Sequence, residues 1–198
     1  AEHIGTLCLF DEAQREMDEE DQLLFKDLGA IIEQEIRLIQ LATLDALTLI
    51  SNLHGFLNLV DYGFKVCQRK KISMSFLLFD LNKFKAINDE YGHHEGDFVL
   101  TTFAQLMIGT FRNSDVVGRL GGDEFVAMIT SFNEENADTI LARFDVAVEE
   151  ANVTMNKPYK IEYSVGLVHF QHSTKKTPEE MIQAADAAMY RNKKASQI

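Results

Sequence analysis

Cysteine, positive charge and long apolar runs are all scarce in this 198-residue chain, and each shortage removes a class of protein. Cys8 and Cys67 are its 2 cysteines, too few for a disulfide framework, so a reduced, cytoplasmic setting is expected. No window approaches the roughly 18 consecutive apolar residues of a membrane-crossing helix, so no membrane span is expected. The N-terminus is acidic and lacks the basic, then apolar, regions of a secretory signal. Lys and Arg number 19 against 31 Asp and Glu, a formal net charge of −12. Such a chain lacks the basic footprint of a DNA- or RNA-coating protein, and no nucleic-acid partner is expected. A small phosphorylated ligand remains compatible if metal ions or backbone amides offset the acidity. What is present is ordinary globular usage, 46% hydrophobic and 25% charged, without repeats or low-complexity tracts.

The acidity is uneven. Residues 1–40 hold 11 acids and 3 bases, a balance of −8, which leaves −4 for the other 158 residues. Residues 4–10 form a short apolar, β-prone run ended by Asp11. Asp18 and Asp21 suit a helix start, since acids in a first turn complement the helix dipole. Leu24, Leu28, Ile31, Ile32, Leu38, Ile39 and Ala42 then recur at helical spacing until about Ala46. So long a helix with a broad apolar stripe suits a connector or a dimer helix. Packing against its own domain is an equal alternative. One strand and one helix bury too little for an independent core. The run from Ile4 to Asp11, with Arg15, Asp21 and the Ile-rich helix, resembles the tail of a GAF sensory domain. The resemblance implies that the chain begins inside a larger protein, with residues 1–44 as sensory tail and connector.

Residues 45–198 alternate helix and strand patterns. Ser51 can cap a helix bearing Phe56, Leu57, Val60, Phe64 and Val66. Ile72–Asp80 is a buried-strand run that stops on an acid. A short helix follows, then a longer one from about Gly96 to Phe111. Strands at 116–120 and 125–129 flank Gly121-Gly122-Asp123-Glu124, a hairpin turn whose glycines supply positive φ. A helix over 134–151, a strand-like stretch from Tyr159 to Phe170 and a last helix opened by Pro178 complete the domain. This order contains the split βαβ pattern, so the fold class is α+β: a ferredoxin-like, antiparallel-containing sheet flanked by helices. Phe125 and the methionines belong to the core.

Acids sit at the strand ends. Asp80 closes an apolar strand, and Asp123 and Glu124 occupy a hairpin tip. If the strands are neighbours, three carboxylates converge and raise one another's pKa unless cations compensate. A pair of hard divalent ions would do so, and such sites suit nucleotidyl transfer. On spacing alone, Asp123 and Glu124 are more often ordinary turn acids.

The string Arg119-Leu-Gly-Gly-Asp-Glu-Phe125 resembles the signature of the diguanylate cyclase, or GGDEF, family. Chance would supply such a pentapeptide in roughly one chain in ten thousand of this length. Phe79-Asp-Leu-Asn-Lys-Phe-Lys-Ala-Ile-Asn-Asp-Glu-Tyr-Gly-His93 with Gly96-Asp97 resembles the family's D-x-D-x-F-K-x-[IV]-N-D-x-x-G-H-x-x-G-D block. Asp45-Ala-Leu-Thr48 with Asn52 resembles its opening motif, and Asp186-Ala-Ala-Met-Tyr-Arg-Asn-Lys193 its ending. The likeness runs in order over about residues 45–197, and it implies a sheet similar to the palm of nucleotide cyclases and polymerases.

The resemblance also implies a reaction, two GTP condensed to cyclic di-GMP and two pyrophosphates, and a set of roles. Asp80, the Leu81 carbonyl, Asp123 and Glu124 match the positions that hold two Mg²⁺ or Mn²⁺ ions. Asp123 matches the position proposed as base for the ribose 3′-hydroxyl. Asn88 and Asp97 match the guanine-reading pair, which makes chemical sense because a carboxylate accepts from guanine N1–H and N2–H. His93 falls in the same loop. Lys85 matches a lysine assigned to transition-state charge, and Lys193 one that contacts the triphosphate. The amides around Lys83 and Phe84 open a short helix and can cradle phosphate. Arg112-Asn-Ser-Asp115 matches the family's R-x-x-D product-inhibition site, with Arg143 as a further partner. Taken singly, a surface lysine, a turn histidine, a cap asparagine or an i,i+3 ion pair explains each of these as well.

Four departures stand out. Asn82 replaces the second aspartate of D-x-D, Leu49 replaces a glycine, Leu53-His54 stand where the family has an Asn-Arg context, and Ser196-Gln197 stand where the family usually has Gly-Arg. The last removes a triphosphate contact and in principle weakens GTP binding. None touches the metal carboxylates, so an active enzyme is expected. One site holds one GTP, so the reaction implies a homodimer. The alternative is an inactive domain that acts as a cyclic di-GMP or GTP receptor.

Overall fold

A computed structural model of the chain describes residues 17–131 and 135–195, together with residues 6, 8 and 10. Most of the strand expected at 4–10, with Arg15 and the Ser196-Gln197 departure, lies outside the described residues. By contacts the chain divides into two units, Ala1–Ala42 and Thr43–Ile198.

The first unit carries nearly all of helix α1 (Glu19–Thr43). The Asp18 carboxylate accepts from the Asp21 amide at 2.8 Å and caps it. No residue of α1 is buried, and Leu24, Leu28, Ile31, Ile32, Leu38 and Ile39 lie exposed along it. The helix ends three residues before the expected Ala46, because the backbone turns back at Asp45, whose amide donates to Ile50 O at 2.8 Å.

In the second unit the elements run α2 (Leu53–Lys70), β1 (Ser73–Leu81), α3 (Phe84–Tyr91), α4 (His93–Thr110), β2 (Val116–Gly121), β3 (Glu124–Ser131), α5 (Glu135–Met155), β4 (Tyr163–Phe170) and α6 (Pro178–Ala195). The four strands form one sheet in the order β2-β3-β1-β4, and each neighbouring pair is antiparallel. That is the ferredoxin-like arrangement expected from the element order.

Strand alternation distributes the core over both faces. From β1, Leu77, Phe79 and Leu81 pack with Phe103, Phe144 and Val148 of α4 and α5. Met74, Phe76 and Leu78 pack on the other face with Phe56 and Val60 of α2 and Met181, Ala185 and Met189 of α6. Phe79 makes edge-on ring contacts with Phe103, Phe111 and Phe144 at 5.5–6.3 Å; such pairs add about 0.5–1.5 kcal/mol each beyond area burial. The end of β1, where Asp80 sits, is therefore anchored by large rings on the residue before it.

Gly166 on β4 lets α6 approach closely: a Cβ there would lie 2.0 Å from the Ala185 carbonyl oxygen and 2.4 Å from the Met189 amide. Three local expectations change. Asn52, not Ser51, caps α2, its side chain accepting from the Gly55 amide at 2.9 Å; Ser51 is committed to backbone bridges with Leu44 and Gly118. Residues 159–162 precede β4 instead of joining it, since Asn152 of α5 takes up both backbone groups of Ile161. Met17 is exposed rather than core, whereas Met74, Met107, Met128, Met181 and Met189 are buried.

Candidate active site

Register brings the first acids together. Asp80 of β1 is paired across the ladder with Glu124 of β3, and the Leu81 amide donates to the Asp123 carbonyl at 3.2 Å. Because Phe79 and Phe125 face α4 and α5, the alternating Asp80 and Glu124 belong to the α2/α6 face. There Lys193 near the end of α6 meets Asp80, Nζ to Oδ1 at 2.6 Å. Burial and the charges of Asp80, Asp123 and Asp186, in that order, push the Glu124 carboxyl above its ordinary range, while Lys193 opposes them.

The expected three-carboxylate cluster is looser than the sequence suggests. Among the described residues no three His, Cys, Asp or Glu side chains close into a metal cage. Asp80 and Glu124 form the cross-strand pair, and Asp123 acts on Glu124 through its charge from the hairpin tip. Uncompensated carboxylates resist closing up, and one ammonium cannot neutralise three. The donor set nonetheless fits Mg²⁺, which binds through one or two carboxylates plus substrate phosphates rather than in a dedicated cage.

The hairpin tip is held from outside. Gly121 and Gly122 take positive φ, 147° and 53°, as expected of a turn here. Arg119 donates through Nε and a terminal nitrogen to the Gly122 carbonyl at 3.0 and 2.7 Å. It also donates to both oxygens of Asp45 at 3.0 and 3.2 Å.

Lys83 caps α3 in the left-handed conformation, φ 58° and ψ 18°, without a side-chain cap. The amides opening α3 are thus left to a ligand or water. Phe84 packs on the core, and Lys85 is exposed on α3. Asn88, near the end of α3, lies against Gly96 in the first turn of α4, where a Cβ would come 2.0 Å from Asn88 Oδ1. His93 and Asp97 are exposed on the same first turn, so the structure brings these base-reading candidates to one junction. Asn82 Oδ1 accepts from Ser164 Oγ at 2.7 Å, a role that needs no charge.

Arg112, Asp115 and Arg143 also gather. Asp115 accepts from the Arg112 amide at 3.0 Å, and Arg143 donates to the Thr110 carbonyl. Burial pushes the Asp115 carboxyl up, against the backbone donors of Arg112 and Thr130 and the positive charges of Arg112 and Arg143.

Roles for Asp186 and for the Asp45–Arg119 pair are not read from the sequence, although all three residues lie in quoted motifs. Asp186 could have been found from spacing: it precedes Lys193 by seven residues on one helix, which puts both on one face. Asp45 and Arg119 are 74 residues apart, and no local pattern signals such a pairing.

The sequence profile described as "Diguanylate cyclase, GGDEF domain" matches residues 42–197. Diguanylate cyclase A of Treponema denticola is 30% identical over 170 residues, covering 84% of this chain and 46% of that protein. The chain thus spans about half the length of such curated relatives. Among solved structures, diguanylate cyclase SiaD of Pseudomonas aeruginosa, in complex with its activator SiaC, superposes with a TM-score of 0.72 at 25% identity, over 89% of this chain and 68% of that one. The coiled coil and GGDEF domain of DgcB from Caulobacter crescentus, in complex with c-di-GMP, gives 0.78 at 21% identity over 89% and 94%, a likeness of fold alone. With the strand-end acids, the hairpin between them and a matching profile over most of its length, the chain belongs to the GGDEF family of diguanylate cyclases.

Proposed function

We propose that this chain is an active diguanylate cyclase that joins two GTP into cyclic di-GMP with release of two pyrophosphates. The observation that carries the reading is the Asp80–Glu124 cross-strand pair beside an intact Gly-Gly-Asp-Glu-Phe tip, faced by Lys193. Each 3′-hydroxyl attacks the α-phosphate of the other GTP: two P–O bonds form, two break, and each hydroxyl proton passes to Asp123. Asp80, the Leu81 carbonyl, Asp123 and Glu124 would hold Mg²⁺ or Mn²⁺, two ions per site. When bound, these ions supply Lewis acidity at the attacking hydroxyl and the leaving pyrophosphate. Asn88 and Asp97 read the guanine edge, with His93 beside them. The amides at Lys83 and Phe84, with Lys85 and Lys193, meet the phosphates and the charge that develops on them.

Two copies must face each other, because each site binds one GTP. The exposed apolar stripe of α1 supports this pairing, and residues 1–44 would serve as the connector from a GAF-like sensory segment. Product inhibition would use Arg112, Asp115 and Arg143, whose proximity supports a guanine- or phosphate-gripping site. Among the described residues no helix is long and apolar enough to cross a membrane, and the free thiols Cys8 and Cys67 suit a cytoplasmic enzyme. Incubation with GTP and Mg²⁺ tests the reading: pyrophosphate release at two per cyclic dinucleotide supports it. GTP binding without turnover favours the receptor role.

A further inference from the structure

The segment Lys157–Glu162 is braced in an unusual way, and both halves of the proposed nucleotide site lean on it. Asn152 of α5 donates to the Ile161 carbonyl at 2.9 Å and accepts from its amide at 2.7 Å. The segment's far end holds the phosphate turn: the Asn82 amide donates to the Glu162 carbonyl at 2.8 Å, and Lys83 Nζ lies 3.5 Å from the Glu162 carboxylate. Its near end holds the first turn of α4 through a single acid. Glu95 accepts from Lys157 Nζ at 2.8 Å on one oxygen and from the Tyr159 hydroxyl on the other. The Tyr159 ring rests on Tyr91 of α3 at 5.2 Å, and Lys157 lies over the Phe98 ring at 4.9 Å.

Glu95 stands between His93 and Asp97, and the next residue, Gly96, is the one pressed against Asn88. In the motif G-H-x-x-G-D it is a free position, so the signature does not specify its partners. We infer that Glu95 is a positioning residue: clamped by Lys157 and Tyr159, it sets the base-reading turn in register with the phosphate turn held by the same segment. The inference rests on the assignment of Asn88 and Asp97 to the guanine base. Recognition needs that register because hydrogen-bond donors and acceptors misplaced by about 1 Å lose most of their value. The hydrogen bonds from Lys157 and then Tyr159 hold the Glu95 carboxyl below its ordinary range, so the clamp is charge-assisted at neutral pH.

The test compares calorimetric affinities for a non-hydrolysable GTP analogue and its inosine counterpart, which lacks the guanine N2 amine. Glu95→Gln keeps the shape of the side chain, and Tyr159→Phe and Lys157→Met leave the acid in place at the helix start. In each, GTP-analogue affinity should fall about tenfold, the preference over inosine should narrow, and thermal stability should stay near that of the unaltered chain. Lys157→Arg should restore most of both. Asp97→Ala reports on the base assignment by itself. Preference lost there but unchanged in all three clamp variants overturns the clamp alone. Preference kept in Asp97→Ala as well overturns the base assignment and the clamp with it.

Discussion

Arg119 joins Asp45 to the carbonyl of Gly122: its guanidinium lies 3.0 Å from Asp45 Oδ1 and 2.7 Å from Gly122 O. The carboxylate is held in turn by the Thr48 amide and hydroxyl at 2.9 and 2.7 Å. The turn that opens the domain is therefore tied, through one largely buried side chain, to the tip that presents Asp123 and Glu124. Asp45→Asn keeps the shape and removes the ion pair. It should cost about 2 kcal/mol in denaturant unfolding and lower turnover with little change in KM.

The same pair has a pH signature. Burial alone would raise the Asp45 carboxyl, but the hydrogen bonds from Thr48 and the Arg119 guanidinium outweigh it and hold it below its ordinary range. A depressed folded pKa stabilises the fold above the unfolded pKa and is lost as pH falls through the folded value. The stability gap between the unaltered chain and Asp45→Asn should be full at neutral pH and shrink below about pH 4. A gap independent of pH would contradict the ion pair.

Lys193 lies 2.6 Å from the Asp80 carboxylate, and it opposes the upward push on Glu124. Lys193→Met should therefore raise the Glu124 pKa further, read by carboxyl NMR titration of the metal-free protein. With Lys193 in the phosphate-binding role proposed for it, the change should also raise KM for GTP by about tenfold or more.

Leu49 has φ 60° and is 67% exposed. A β-carbon is strained in that conformation, whereas glycine is not. Leu49→Gly should stabilise the domain by about 0.5–1 kcal/mol in urea unfolding despite the added chain entropy. The departure from the family's glycine is thus a cost to stability, and activity should be retained.

Gly166→Ala would put a methyl group 2.0 Å from the Ala185 carbonyl oxygen. Helix α6 must move off the sheet to admit it and would carry Lys193 away from Asp80. Unfolding should become easier by about 1–3 kcal/mol, with a raised KM for GTP.

The motifs pointed in the sequence to the strand-end acids and to Lys193, and the structure pairs Asp80 with Glu124 and sets Lys193 against Asp80. The ferredoxin-like topology was legible because β1 and β3 are apolar on both faces and the hairpin glycines fix the connection from β2 to β3. Tertiary detail was not. Nothing near Tyr159 shows that Asn152 takes up the backbone groups that a strand would need, and nothing near Ser51 shows that it is spent on Gly118. The clamp on Glu95 was invisible for the same reason: its partners lie 62 and 64 residues away. The apolar stripe of α1 was legible but its exposure was not; with the proposed pairing of two copies through it, Leu28→Glu with Ile32→Glu should abolish dimers at low concentration in sedimentation.

The most direct measurement is chromatographic identification of the product formed from GTP and Mg²⁺ by the purified chain, beside Asp123→Ala. Cyclic di-GMP from the unaltered chain and none from Asp123→Ala is the predicted result. GTP left intact by a folded, dimeric protein, or cyclic di-GMP formed equally by both, would contradict the account.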